Sequence, residues 1–246
     1  MALGQTAAIV LAAGAGTRMA SEGNKVSLEI DGRPMLDWSL RVLHEAAAVD
    51  RIILVAARSD LDLWRKAAAR FPKLKAVVEG GTTRHASEFL GLAVLATDIE
   101  AGVVDLVLVH DAVRPFASGE LVQRLITRAR ESGAAIPGVQ VGSGLVTAAD
   151  GEVTGYPPGL WAVQTPQAFK ARLVLDAHRR AQTDRFTGTD TASVVERAGF
   201  AVDVIEGSYD NIKVTTPDDL VRARAIAEHL ALGGSTTLLT ADTFGA

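Results

Sequence analysis

The chain has no cysteine among its 246 residues. That single absence excludes disulfides, thiolate zinc sites and cysteine nucleophiles. It contains no apolar run of the roughly 18 residues that a membrane span needs, and no charged-then-apolar leader. The expectation is a cytoplasmic protein with no membrane partner. A surplus of positive charge is also missing: 25 Lys and Arg stand against 29 Asp and Glu, a formal net charge of −4. Nucleic acid is therefore not an expected partner, and an anionic ligand must be held by local cations. The Gly-Lys-Ser/Thr triplet that closes a P-loop does not occur. Nor does the third small residue of a dinucleotide fingerprint, since that position, counted from Gly14 and Gly16, is Met19. What the chain does have is apolar bulk. Hydrophobic residues make up 48% of it, ample for a large core, and the length fits one domain with a protruding element.

The most informative stretch runs from Ala7 through Ile9, Val10 and Leu11 to Gly14, Gly16, Arg18 and Met19, with Lys25 after it. It reads as a buried strand that empties into a loop of Gly and Ala. Small residues let a backbone lie against a ligand, so that its N–H groups donate to phosphate oxygens. Arg18 and Lys25 stand beside that cradle as fixed cations suited to a polyphosphate. The plainer reading is a Gly-rich turn joining strand to helix, and the two cations weigh against it.

Strand-like runs cover 7–11, 51–56, 76–79, 106–110 and 202–206, and helix-like periodicity covers 35–47, 60–70, 83–96, 118–133, 168–181, 191–198 and 217–232. Pro72 closes the second helix and Ser118 is placed to cap the fourth. This rhythm predicts an α/β fold with a doubly wound, mostly parallel, Rossmann-like sheet. Ligands of such sheets sit beyond the carboxyl ends of the strands. The Gly14 loop, Gly80-Gly81 and His110-Asp111 all fall at such ends. Between 138 and 159 Gly, Pro and Thr take over, and a turn at Asp150-Gly151 predicts an inserted β-hairpin, either a dimerisation arm or a plain loop. The domain is expected to span 1–232, with 233–246 a flexible tail.

Taken together, six stretches resemble the sugar-phosphate nucleotidyltransferases, and most closely the 2-C-methyl-D-erythritol 4-phosphate cytidylyltransferase family. They are Ala12 to Met19 with Lys25; Gly80-Gly81 with Arg84 and Ser87; Val109 to Pro115; Leu160-Trp161 with Gln164 to Phe169; Thr189-Asp190 with Ala192-Ser193; and Asp210 to Thr215. The resemblance implies transfer of CMP from CTP to a polyol phosphate with release of pyrophosphate, assisted by Mg²⁺ or another divalent cation. By that resemblance Arg18, Lys25 and Lys213 are the catalytic cations. The Gly14 and Gly16 amides hold phosphates, and Ala13, Gly81 and Ser87 read the cytosine. Asp111 bonds substrate hydroxyls or aligns the metal, Asp210 orients Lys213, Arg114 meets the acceptor phosphate, and Thr165 belongs to the acceptor side. A homodimer through the 138–159 arm is also implied.

Bland roles remain for several of these. Lys25 and Lys213 could be solvated, Asp111 could cap a turn, Arg84 could begin a helix, Asp190 could be an N-cap, His110 and Trp161 could be packed. The arm departs from the family pattern, because Pro-Val-x-Asp-Thr-x-Lys is replaced by Gln140 to Val146, with Ser143, Gly144 and Val146 at the polar positions. Tyr156-Pro157-Pro158 stands where the family has Asp-Arg-x. A pentitol phosphate such as ribitol 5-phosphate is therefore the second candidate acceptor. A nucleotide-binding module without turnover, and a nicotinamide-dependent oxidoreductase, are weaker alternatives that Arg18, Lys25 and Met19 disfavour.

Overall fold

Strand β1 (Gln5–Ala12) is apolar without alternation because both of its faces are covered. In the computed structural model, which describes residues 3–14, 24–142 and 145–232, it lies at the middle of the main sheet. The expectations for Gly16, Arg18, Met19, Ser143, Gly144 and the 233–246 tail lie outside the described residues.

After β1 comes a small hairpin of β2 (Glu29–Ile30) and β3 (Arg33–Pro34), then α1 (Met35–Glu45), β4 (Arg51–Ala56) and α2 (Leu61–Ala67). Next are β5 (Leu74–Glu79), α3 (Arg84–Glu100), β6 (Val104–Asp111), α4 (Gly119–Ser132) and β7 (Ala134–Gln140). A second hairpin, β8 (Thr147–Ala149) and β9 (Glu152–Gly155), leads to β10 (Trp161–Val163) and β11 (Gln167–Lys170). The chain closes with α5 (Ala171–Thr183), α6 (Thr191–Arg197), β12 (Asp203–Glu206) and α7 (Pro217–Ala231). The eight-stranded sheet has the order β10-β7-β11-β6-β1-β4-β5, with β12 paired to β7. β5, β4, β1 and β6 run parallel, and β10 and β11 are the antiparallel insertions.

The core lies in two layers. Ala8, Val10, Leu54 and Leu108 face Leu40 of α1, Trp64 of α2, Leu125 of α4 and Ala223 of α7. Ala7, Ile9, Val55 and Val109 face Leu92 of α3, Val174 of α5 and Val194 of α6. Alternate residues of each strand thus feed opposite layers, which is the physical content of a doubly wound sheet. Ser118 caps α4 as expected, accepting from the Leu121 amide at 3.1 Å.

Three expectations need correction. The predicted helix over 168–181 is a strand, β11, followed by α5 from Ala171. Ala168 and Phe169 are fully buried between β6 and β7, and a four-residue strand with two adjacent apolar residues cannot reveal which period it obeys. The helix over 60–70 is a seven-residue α2 flanked by 3-10 turns at Arg58–Asp60 and Ala68–Arg70. Strand β7 is an addition to the expected elements, because Pro137 and Gly138 read as breakers. Pro137 falls between the residues that pair β11 (Ala134, Ala135) and those that pair β10 (Gly138 to Gln140), so on that edge of β7 it occupies a gap, while on the other edge it stays in register with Ile205 of β12. The expected hairpin is present, with its turn at Asp150 and Gly151, both at positive φ (51° and 85°).

Candidate active site

The carboxyl ends of β1, β5 and β6 meet on one side of the sheet. Leu11 is in register with Asp111, and the amide of Ala112 donates to the Leu11 carbonyl at 3.0 Å. This places the start of the Gly14 loop beside the last residue of β6. Lys25 opens a short 3-10 turn whose cap, Asn24, donates from Nδ2 to the Ala12 carbonyl at 3.2 Å. The same amide group donates to Asp60 at 2.6 Å, so the Lys25 turn is tied to the end of β1.

Ala13, Gly80, Gly81 and Ser87 form the floor of the crevice. A Cβ on Gly80 would collide with the Ala13 methyl and come within 3.0 Å of Ser87 Oγ, so only glycine allows this approach. Ser87 Oγ donates to the Thr83 carbonyl at 3.0 Å and accepts from the Gly81 amide at 3.1 Å. Thr83 also caps α3, so the loop and the helix that follows it are fixed together.

Asp111 is the electrostatic centre. Its Oδ1 accepts from Arg84 Nε at 3.0 Å and its Oδ2 pairs with Lys213 Nζ at 2.8 Å. Burial alone would raise its pKa, but the neighbouring Arg84 and Lys213 charges overcome that and hold it far below the ordinary carboxylate value. The backbone amide of Asp111 donates to Thr165 Oγ1 at 3.0 Å, and Thr165 Oγ1 also lies 3.1 Å from His110 Nδ1. His110 Nε2 donates to the Arg114 carbonyl at 3.2 Å, which leaves Nδ1 free to accept from the threonine hydroxyl. Burial pushes the His110 pKa down to about 4, so the ring is a neutral fastener, in line with its packed reading.

Arg114, expected to meet an acceptor phosphate, is already engaged within the chain. Its Nη1 donates to the Asn211 carbonyl at 2.8 Å and its Nη2 to the Val163 carbonyl at 3.1 Å. The guanidinium therefore clamps β10 to the 210–215 segment. Asn211, fully buried, donates from Nδ2 to the Thr165 carbonyl at 2.9 Å. The Val214 amide donates to the Val113 carbonyl at 2.8 Å, which brings Lys213 back over β6. Asp210 lies in the same turn, where the Ile212 amide donates to its carbonyl at 2.7 Å. Asp190 takes its bland role, capping α6 through the Ser193 amide at 2.9 Å.

Of the expected residues, Ala13, Gly14, Lys25, Gly81, Arg114, Thr165, Asp210 and Lys213 fall on the described connections that gather at these strand ends, Asp111 is the last residue of β6 and Ser87 lies in the first turn of α3, while Gly16 and Arg18 lie outside the described residues. Arg84 does begin a helix, but it is also the second cation on Asp111 and pairs with Glu88 one turn on. Its i,i+4 spacing to Glu88 was the available signal. Burial pushes the Glu88 pKa up to about 7, against the opposing pull of Arg84 and Thr191. Asn211 is a further side chain of consequence that the pattern does not single out, for nothing in an isolated Asn announces full burial.

Comparison with known proteins places this geometry. A profile of the 2-C-methyl-D-erythritol 4-phosphate cytidylyltransferase family matches residues 6–229. A protein of that name from Geobacillus kaustophilus (strain HTA426) is 42% identical over 224 residues, covering 89% of this chain and 95% of the relative. One from Bacillus licheniformis is 40% identical over 224 residues, covering 89% and 94%. Among solved structures, 4-diphosphocytidyl-2C-methyl-D-erythritol synthase from Anaerococcus prevotii DSM 20548 superimposes with a TM-score of 0.79 at 31% identity, over 92% of this chain and 99% of that one. The cytidylyltransferase from Thermus thermophilus gives a TM-score of 0.70 at 35% identity, over 91% and 99%. With relatives aligned across nearly their whole length, the chain belongs to the 2-C-methyl-D-erythritol 4-phosphate cytidylyltransferase family.

Proposed function

We propose that this protein transfers CMP from CTP to 2-C-methyl-D-erythritol 4-phosphate and releases pyrophosphate, supplying an isoprenoid precursor. The observation that carries the reading is the Asp111 carboxylate held between Arg84 and Lys213 beside the Ala13–Gly80–Ser87 floor. In the reaction an acceptor phosphate oxygen forms a bond to the α-phosphorus of CTP. The bond from that phosphorus to the α,β-bridging oxygen breaks, and pyrophosphate leaves with the electron pair. No covalent nucleophile is needed; positioning and fixed positive charge are. Arg18 and Lys25 clamp the triphosphate, with the Gly14 and Gly16 amides against its oxygens. Lys213, steered by Asp111, adds charge where acceptor and α-phosphate meet. Ser87 occupies the Gly81 amide, so the carbonyl of Gly81 is what remains to accept from the cytosine amino group. Thr165 and Arg114 brace the acceptor side, and Asp210 belongs to the turn that presents Lys213.

Mg²⁺ fits this donor set in a limited way. Each Asp111 oxygen already has one cationic partner and keeps a further acceptor site, so Asp111 would assist an ion held mainly by phosphate oxygens. When bound, the ion would neutralise phosphate charge. We also place a homodimer on the arm and β10, where Val153, Tyr156, Trp161 and Val163 are exposed apolar residues. No described helix is long and apolar enough to cross a membrane.

Pyrophosphate release, measured with each nucleoside triphosphate against a panel of polyol phosphates, tests the reading. CTP with methylerythritol 4-phosphate is the pair expected to turn over. Release only with ribitol 5-phosphate would reassign the acceptor, and silence with every pair would remove the enzyme.

A further inference from the structure

Behind Asp111, between α3 and α5, lies a set of buried polar side chains that nucleotidyl transfer does not use. His85 and Glu88 sit one turn apart on α3, and His178 reaches them from α5. All three are buried, His178 completely. Among the described residues, none of the four imidazole nitrogens has a hydrogen-bond partner, and Glu88 Oε2 has none either. Leaving five such atoms unsatisfied is expensive, because each gives up its hydration with no partner in exchange. A native core does not ordinarily carry that many together.

The three side chains converge on one small volume. One donor atom from each of the three residues can be chosen so that all lie within 4.8 Å of one another. His178 Nε2 and Glu88 Oε2 are 3.5 Å apart. Ligand atoms about 2.0–2.2 Å from a tetrahedral zinc ion are themselves separated by about 3.3–3.6 Å, so that edge already matches. The two rings are stacked, with centroids 4.8 Å apart and planes 20° apart, so closing the remaining edges on one ion requires His85 to turn out of that stack. The carboxylate is oriented from outside. Its other oxygen, Oε1, pairs with Arg84 and accepts from Thr191 Oγ1 at 2.7 Å, which turns Oε2 toward the imidazoles. Outer partners of this kind are what a metal-binding carboxylate requires. We infer that His85, Glu88 and His178 form a buried site for a divalent transition metal of the zinc class, with a water as fourth ligand. Two imidazoles and one carboxylate favour such an ion over Mg²⁺ or Ca²⁺, which take oxygen donors.

The test uses the full chain, stripped with a chelator and free of nucleotide. After equilibrium dialysis against Zn²⁺, about one zinc per chain should be retained, and Co²⁺ in its place should give the visible bands of a four-coordinate site. His178→Gln and His85→Gln should each weaken zinc binding by more than tenfold, and zinc should raise the unfolding temperature of the unsubstituted protein alone. Should one variant fail to fold, the other and the wild-type zinc content still decide. No retained zinc in the wild type, or retention undiminished in the folded variants, overturns the assignment.

Discussion

At the scale of single residues the site is an exercise in charge held in place. Lys25 is the clearest case. Its turn is tied to the end of β1 through Asn24, so the position of its backbone beside that strand end is set by the fold. If its charge matters most when charge builds on the α-phosphate, Lys25→Ala should lower kcat by about 10²–10³-fold while KM for CTP changes far less. Steady-state kinetics decide this; equal losses in binding and turnover would contradict the role. Acid titration is the second expectation. Asp111, held ionised by Arg84 and Lys213, contributes stability above its unfolded pKa of about 3.9, and that contribution is lost as pH falls below it. His110 acts over a higher window. Its folded pKa of about 4 lies below the unfolded value of about 6.5, so in that interval the unfolded chain takes up a proton that the folded one refuses. His178, pushed down to about 3 by burial, acts in the same sense, and Glu88, raised to about 7, acts against it. The readout is therefore a difference. Between about pH 6.5 and 4 the urea midpoint of His110→Asn should fall less than that of the wild type; parallel curves would mean the ring is not a buried neutral group.

At the scale of elements, helix α3 decides how the crevice is shaped, for it carries Arg84, Ser87 and Glu88. Its depth is set by Gly91. A Cβ there would stand 2.6 Å from Ile9 Cγ2 and 3.2 Å from Val55 Cγ2, both in the centre of the sheet. Gly91→Val should therefore destabilise the protein by about 1–3 kcal/mol through overpacking, outweighing any gain from removing a helical glycine. Denaturant unfolding measures the loss, and a neutral result would show that α3 can lift off β1. Elements of this parallel half were readable from the chain. The run Arg51–Ala56 has no polar residue after its first and appears as β4 with the same limits. Ser118 and Asp190 announced their caps because a short polar side chain before an apolar helix has few other uses. The antiparallel half was harder. β11 is four residues long and buried on both sides, so neither alternation nor length separates it from a first helical turn. β7 accommodates a proline where its partner on one edge changes from β11 to β10, which is a fact of tertiary pairing. In the site, the glycines and Asp111 were visible as a pattern at strand ends, whereas the Arg84 and Asn211 contacts depend on side chains brought across the fold.

At the scale of the whole molecule, the sheet supplies a rigid floor while the β8–β9 hairpin stands apart from it. Among the described residues the hairpin pairs only with itself, and most of its residues are exposed. A two-stranded ribbon of this kind is marginal in water on its own. Its turn is well chosen, since Asp150 and Gly151 both adopt the positive φ that a tight hairpin demands. A good turn fixes register but adds little burial, so the ribbon needs a surface to lie on. Exposed Val153 and Tyr156 on the arm continue into Trp161 and Val163 on β10, a three-residue strand that is exposed along its whole length. A second copy of the chain presents the same apolar faces, and a two-fold arrangement would let each arm cover the other protomer's β10. Removal of residues 142–155 should then convert a dimer into a folded monomer, seen as a halved mass in sedimentation velocity with the circular dichroism of the sheet and helices retained. A dimer that survives the deletion would move the interface off the arm, and a full-length chain that sediments as a monomer would remove the interface altogether.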